Sequence, residues 1–121
     1  MATVSELLEA NLFQVFGNRD AASRRAAIER TYATEVSFTD PEEVVHGWDA
    51  LEAKAAEILQ QAPEAFVFAA DGRKYVGDGI GALPWAFGPE GAPVIHGVDV
   101  ITVRDGVIQT VATFFGEGEQ P

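Results

Sequence analysis

The last third of the chain most constrains the fold. Val94 to Val103 and Val107 to Phe115 are apolar runs joined by Arg104-Asp105-Gly106. That is the pattern of a β-hairpin closed by a tight turn. Ile95, Gly97, Asp99, Ile101 and Val103 share one face of the first strand. Val94, His96, Val98, Val100 and Thr102 share the other. Both faces are apolar, so both need cover. Helices of the same chain can cover one. A second copy is the natural cover of the other, which predicts a homodimer through the sheet. Asp99 falls in the middle of an apolar face, where a carboxylate needs a partner, a proton or a wet pocket.

A second carboxylate stands in similar company. In Glu35-Val-Ser-Phe-Thr-Asp40-Pro41, period two places Val36, Phe38 and Asp40 on one side of a strand. Pro41 stops the ladder because it has no N–H to give. Gly47 permits a turn, and Trp48-Asp49 opens a helix ending near Gln61, before Pro63. Leu51, Ala55, Ile58 and Leu59 share one side of that helix.

The N-terminal part reads as two further helices. Val4 to Phe16 carries Leu7, Leu8, Leu12 and Val15 at helical spacing, Thr3 and Glu6 have the capping-box form, and Gly17 stops the helix. Asp20 caps a second helix over 21–33, with Ala22, Ile28 and Tyr32 inward and Arg24, Arg25 and Arg30 solvated. After Ala65 the chain looks like sheet. One long strand is expected from Phe66 to Val76 with a bulge at Asp71-Gly72, then a return over Ile80 to Phe87. Pro84 suggests that the return strand is irregular or at an edge. The expected organisation is a single domain over residues 1–116 and a flexible tail over 117–121.

Charge and composition exclude several functions. There are 19 acidic and 8 basic residues, a formal net charge of -11. Nucleic acid and anionic membrane surfaces would be repelled. Cysteine is absent, and two histidines without an acidic ligand pattern predict no metal site. The N-terminal residues have no secretory pattern, so a cytoplasmic protein is expected.

Each polar candidate has a structural and a functional reading. Asp40 can be an acid/base group or a turn cap accepting backbone N–H bonds. Asp99, mid-strand, fits a pocket role better than a cap. His46 reads as a rim residue, and His96, opposite Asp99, as an interface residue. Asp71 and Arg73 read as a surface ion pair. Phe38, Trp48, Phe68, Trp85 and Phe114 read as core, some of them lining a pocket with His46.

As a set, Tyr32, Val36-Ser-Phe-Thr-Asp40-Pro41, Gly47, Trp85-Ala-Phe-Gly88, Gly97-Val-Asp99-Val-Ile and Asp105-Gly106 resemble the nuclear transport factor 2-like superfamily, specifically its SnoaL-like and ketosteroid-isomerase-like members. The resemblance implies an α+β fold: three N-terminal helices on a strongly curved, mostly antiparallel sheet, with a pocket between them. It implies a hydrophobic carbonyl-containing ligand and acid–base chemistry of the isomerase or cyclase type, without a cofactor. By analogy with ketosteroid isomerase, an enzyme with two tuned carboxyl groups, Asp40 would be the base and Asp99 a neutral donor to an oxyanion. The tyrosine that such enzymes carry in the first helix is missing, since Leu12, Phe13 and Phe16 stand there, and Tyr32 is the nearest substitute. SnoaL-like cyclases use a late-sheet acid as acid/base, a role open to Asp99. A noncatalytic binder and a dehydratase or epoxide-hydrolase type remain the alternatives.

Overall fold

A computed structural model describes residues 1–119. The expected tail over 117–121 falls partly outside them. Three helical segments pack on one face of an open, mixed sheet that is mostly antiparallel. The strand order is β2-β1-β7-β6-β5-β3, with β4 also pairing with β5.

Helix α1 begins at Val4 under the Thr3–Glu6 capping box. It is α-helical only to Glu9 and continues as a π-helix over Ala10–Phe16. The wider winding closes with Gly17 N–H donating to the Leu12 carbonyl, five residues back, at 2.8 Å. Asn11, Leu12, Val15 and Phe16 of this segment face inward.

Helix α2 spans Ala21–Thr31 under the Asp20 cap, two residues shorter than expected. Its inner face also differs. Ala22 is exposed, and Ala27, Ile28 and Thr31 are buried. Arg24 is buried too, because its guanidinium finds Glu52 at 2.6 Å and the Asn18 carbonyl at 2.8 Å. Tyr32 opens strand β1, Tyr32–Thr39, instead of closing the helix. Helix α3 covers Trp48–Gln61 as predicted, after Gly47 at φ 89°.

Strand β2, Val44–His46, was not expected. It folds back antiparallel on β1, after the turn at Asp40–Glu43. Strand β1 runs parallel to β7. The long strand expected after Ala65 is two short ones, β3 Phe66–Ala70 and β4 Tyr75–Gly77, both antiparallel to β5, Ile80–Pro89. Pro84 therefore lies in an interior strand and not at an edge. Its carbonyl accepts from Asp71 N–H at 2.9 Å, on the side where β3 gives way to β4. The missing proline N–H points to the same gap, where no ladder partner needs it.

Strands β6, Ile95–Arg104, and β7, Val107–Phe115, form the predicted hairpin. Asp105 at φ 56° and Gly106 at φ 76° give the two positive φ angles that a type I′ turn requires. Leu83, Ile101, Ile108 and Val111 face the helices and form the core with Leu8, Leu12, Ile28 and Leu51. No helix among the described residues is long and apolar enough to cross a membrane.

Candidate functional site

A cavity of about 200 Å³ lies between the π-helical turn, the end of α3 and the inner face of the sheet. Its walls are mainly aromatic. Phe68 stacks on Phe87 with centroids 4.1 Å apart, and Trp85 meets Phe68 and Phe115 edge to face at 5.5 and 5.8 Å. Phe16 stacks on Phe38 across the helix side at 5.2 Å. Arg19 braces the rim by donating to the carbonyls of Leu59, Pro63 and Phe66 at 2.9, 3.0 and 3.1 Å.

Two charged side chains line this cavity, Asp40 and Asp99, and both are acids. Asp99 is 6 % exposed. Its Oδ1 accepts from Trp85 Nε1 at 2.9 Å and from Thr113 Oγ1 at 2.8 Å. Its Oδ2 accepts from Asn11 Nδ2 at 2.8 Å. All three donors are neutral, and among the described residues no cation pairs with Asp99. Burial pushes its carboxyl up to about 6, against the pull of the Thr113, Trp85 and Asn11 bonds. Those bonds favour the ionised form, whereas burial favours the neutral donor that the resemblance implies.

Tyr32 does not reach the cavity. It is fully buried behind it, and its hydroxyl donates to Asn11 Oδ1 at 2.5 Å. Burial and the nearby Asp99 charge push its phenol well above the ordinary 10.0, so it stays a donor. Asn11 was missed in the sequence. The signal was its place between Leu7, Leu8 and Val15 on the apolar stripe of the first helix, a polar residue in as odd a position as Asp99. Thr113 was missed too, though period two with Val111 and Phe115 puts it on the inner face.

Asp40 lies one residue beyond β1 and is already engaged. Oδ2 pairs with Lys54 at 2.6 Å, and Oδ1 accepts from the N–H groups of Glu42 and Glu43 at 2.9 and 3.0 Å. Burial would raise its carboxyl, but Lys54 and the two N–H groups outweigh burial and hold it below the ordinary 3.8. Lys54, buried on α3, also meets Glu43 at 2.9 Å. Its position three residues after Leu51 and four before Ile58 placed it on the inner face, but its charge hid that.

Phe38, Phe68 and Trp85 line the cavity. Phe114 does not. It sits on the outer face of β7 and is 54 % exposed. His46 is exposed on β2, away from the cavity. Trp48 lies at the start of α3, donates to the Tyr32 carbonyl at 3.0 Å and carries Arg25 6.0 Å above its ring. His96 meets Glu119 at 2.8 Å, and that carboxylate raises its pKa above the ordinary 6.5. Asp71 and Arg73 are exposed between β3 and β4 and do not pair with each other. Among the described residues no three acidic or histidine side chains converge on a metal position.

Two predictions follow from this packing. Gly97 lies under the Trp85 ring, and a β-carbon there would overlap the indole and the Phe114 carbonyl. Gly97→Ala should cost about 1–3 kcal/mol and shift the tryptophan fluorescence, because Trp85 must leave Asp99. An unchanged spectrum with unchanged stability would contradict this placement. The second concerns pH. Asp99 is raised, so between pH 3.8 and about 6 the folded chain keeps a proton that the unfolded chain has lost. Its contribution to stability therefore falls by about 3 kcal/mol as pH rises through that window. Asp40 is lowered and acts oppositely, losing its contribution on acidification below 3.8. Asp99→Asn should remove the fall between pH 4 and 6, as read by urea unfolding at each pH. A variant that keeps the fall would assign it elsewhere.

Three helices on an open, mostly antiparallel sheet with a pocket between them define the nuclear transport factor 2-like fold. Several solved structures share this fold. The chain is similar to a proposed isomerase of the SnoaL-like family from Agrobacterium tumefaciens, with a TM-score of 0.83 and 21% identity over 91% of this chain and 94% of that one. It is similar to a proposed SnoaL-like polyketide cyclase from Jannaschia, with a TM-score of 0.72 and 15% identity over 93% and 87%. A protein of ketosteroid-isomerase-like fold from Catenulispora acidiphila, in complex with trimethylamine, has a TM-score of 0.73 and 12% identity over 94% and 88%. No protein-family model and no curated protein sequence matches the chain.

Proposed function

We propose that the protein is a cofactor-independent acid–base enzyme that moves a proton on a small, uncharged, hydrophobic carbonyl compound, with Asp99 as the group that takes the proton and returns it. One observation carries this reading: a buried carboxylate, with no cation partner among the described residues, faces an aromatic cavity, and burial raises its carboxyl toward the range in which a base works best. The fold's likeness to proposed isomerases and cyclases supports it. Asp40 is the poorer base, since Lys54 and two N–H groups occupy its oxygens and lower its affinity for a proton. It serves instead as a wall of the cavity.

The chemistry narrows the substrate. Trp85, Thr113 and Asn11 spend their donors on Asp99, and the lining has no basic side chain. Among the described lining residues the exposed Gln61 amide is the further side-chain donor, which is little to stabilise an oxyanion, so the C–H bond must already be activated, by a second carbonyl or an aryl group. The size is bounded as well. A cavity of roughly 150 Å³ holds benzene, so about 200 Å³ suits one or two rings at the closed end. Deuterium exchange into 2-tetralone, followed by NMR, tests the reading. Exchange above the buffer rate, lost in Asp99→Asn, is expected. Saturable binding of the ketone without exchange would instead favour a noncatalytic binder.

The same reading includes a homodimer. Val98, Val100, Ala112 and Phe114 meet across β6 and β7 on the outer face, which no helix among the described residues covers. Val100→Asp would put an unpaired charge in that interface. Sedimentation at micromolar concentration should show a dimer for the parent chain and a monomer for the variant. A monomeric parent would refute the interface.

A further inference from the structure

Asn11 stands between two buried groups that cannot both treat it alike. On one side the Asp99 carboxylate, when ionised, can only accept, so it demands the amide NH₂, which lies 2.8 Å from Oδ2. On the other side the Tyr32 hydroxyl, 2.5 Å from Asn11 Oδ1, then has to donate. The orientation of the amide is fixed from both ends. All three residues are buried: Tyr32 is 1 % exposed, Asn11 0 % and Asp99 6 %. No water can stand in for a lost partner without a cavity being opened. Asn11 reaches this point on the sheet from the first turn of the π-helical segment.

We propose that Asn11, locked by Tyr32, is the positioning residue of the site, holding the Asp99 carboxylate toward the cavity and strengthening its ionised form. The proposal rests on the reading of Asp99 as the proton-transferring group. It also gives Tyr32 a role other than a direct ligand donor. Tyr32 acts at one remove: its hydroxyl keeps the Asn11 oxygen away from the carboxylate, where that oxygen would repel it.

The groups that face Asp99 are few. Trp85 from β5, Thr113 from β7 and Asn11 from the π-helical turn touch it, and none is charged. Tyr32 from β1 titrates far above neutrality. Asp40 lines the same cavity, with its charge matched by Lys54. A change in the titration of Asp99 after substitution of Asn11 therefore reports on Asn11 itself.

The experiment is a carbon-detected NMR titration of the Asp99 carboxyl in the full chain and in three variants. Asn11→Leu removes the donor and should raise the midpoint by about one pH unit. Tyr32→Phe leaves the amide free to turn and should raise it by less. Asn11→Leu removes the acceptor of the buried Tyr32 hydroxyl, so Asn11→Leu with Tyr32→Phe is the third variant. It replaces both polar partners by apolar ones and keeps the fold testable. The acid limb of the 2-tetralone exchange profile should move with the midpoint, while the plateau moves less. A purely structural role would lower stability and leave the midpoint in place. A midpoint in the folded double variant equal to that of the parent would overturn the inference. A parent midpoint far from about 6 would instead overturn the role of Asp99, so the two failures are distinct.

Discussion

Asp99→Asn is expected to lower the rate of proton transfer on a bound ketone by about 10²–10⁴-fold, the usual share of a positioned acid–base group. The variant keeps the shape of the side chain and removes its capacity to take a proton in the neutral range. Its helical circular dichroism should match the parent. The comparison that decides the assignment is Asp40→Asn, which should change the rate by less than about tenfold, since the ion pair with Lys54 already holds that carboxylate as a weak base. Loss of activity in Asp40→Asn with activity retained in Asp99→Asn would reverse the two roles. Both measurements use the exchange of deuterium into 2-tetralone, so the same assay reads both acids.

The sequence made much of this site legible because polar residues stood where apolar periodicity left no room for them. Asp99 on a face with Ile95, Ile101 and Val103 is the plainest case. The hairpin, its type I′ turn and the third helix were legible for the same reason: strong period, strong breakers, little competition. The parts that were not legible depend on pairings between distant segments. Lys54 and Arg24 look solvated in a linear reading, and only their partners Asp40 and Glu52 explain their burial. Tyr32 looked like the inner end of a helix, whereas β7 draws it into a strand. The π-helical winding has no signature in a single sequence, although Asn11, which meets Asp99 from it, keeps the helical spacing of Leu7, Leu8 and Val15. Phe114 illustrates the converse. Its aromatic character suggested the pocket, but one residue of register puts it on the opposite face from Thr113 and Phe115.

Lys54→Met should be the most destabilising of the substitutions that leave Asp99 in place. Lys54 and Asp40 have side chains only 8% and 6% exposed. Removing the ammonium leaves a buried carboxylate with two N–H partners and no countercharge. Breaking a buried pair from one side costs about 3 kcal/mol at the low end of the usual range, which suits a site where half-exposed Glu43 lets water approach. Lys54→Met combined with Asp40→Asn removes both charges and should recover most of that loss. Urea unfolding of the parent, the single variant and the double variant measures both steps. A single variant as stable as the parent would show that Asp40 is already solvated, and the wall it forms would then be open.

The titration of the Asp99 carboxyl in the free chain, followed by carbon-detected NMR from pH 4 to pH 8, bears most directly on its role as the proton-transferring group. A single midpoint near 6 is expected, raised by burial and restrained by Trp85, Thr113 and Asn11. A midpoint at or below the ordinary 3.8 would make Asp99 a weak base held for structure, and a carboxyl still protonated at about pH 8 would make it a donor unable to take a proton. Either result contradicts the proposed chemistry.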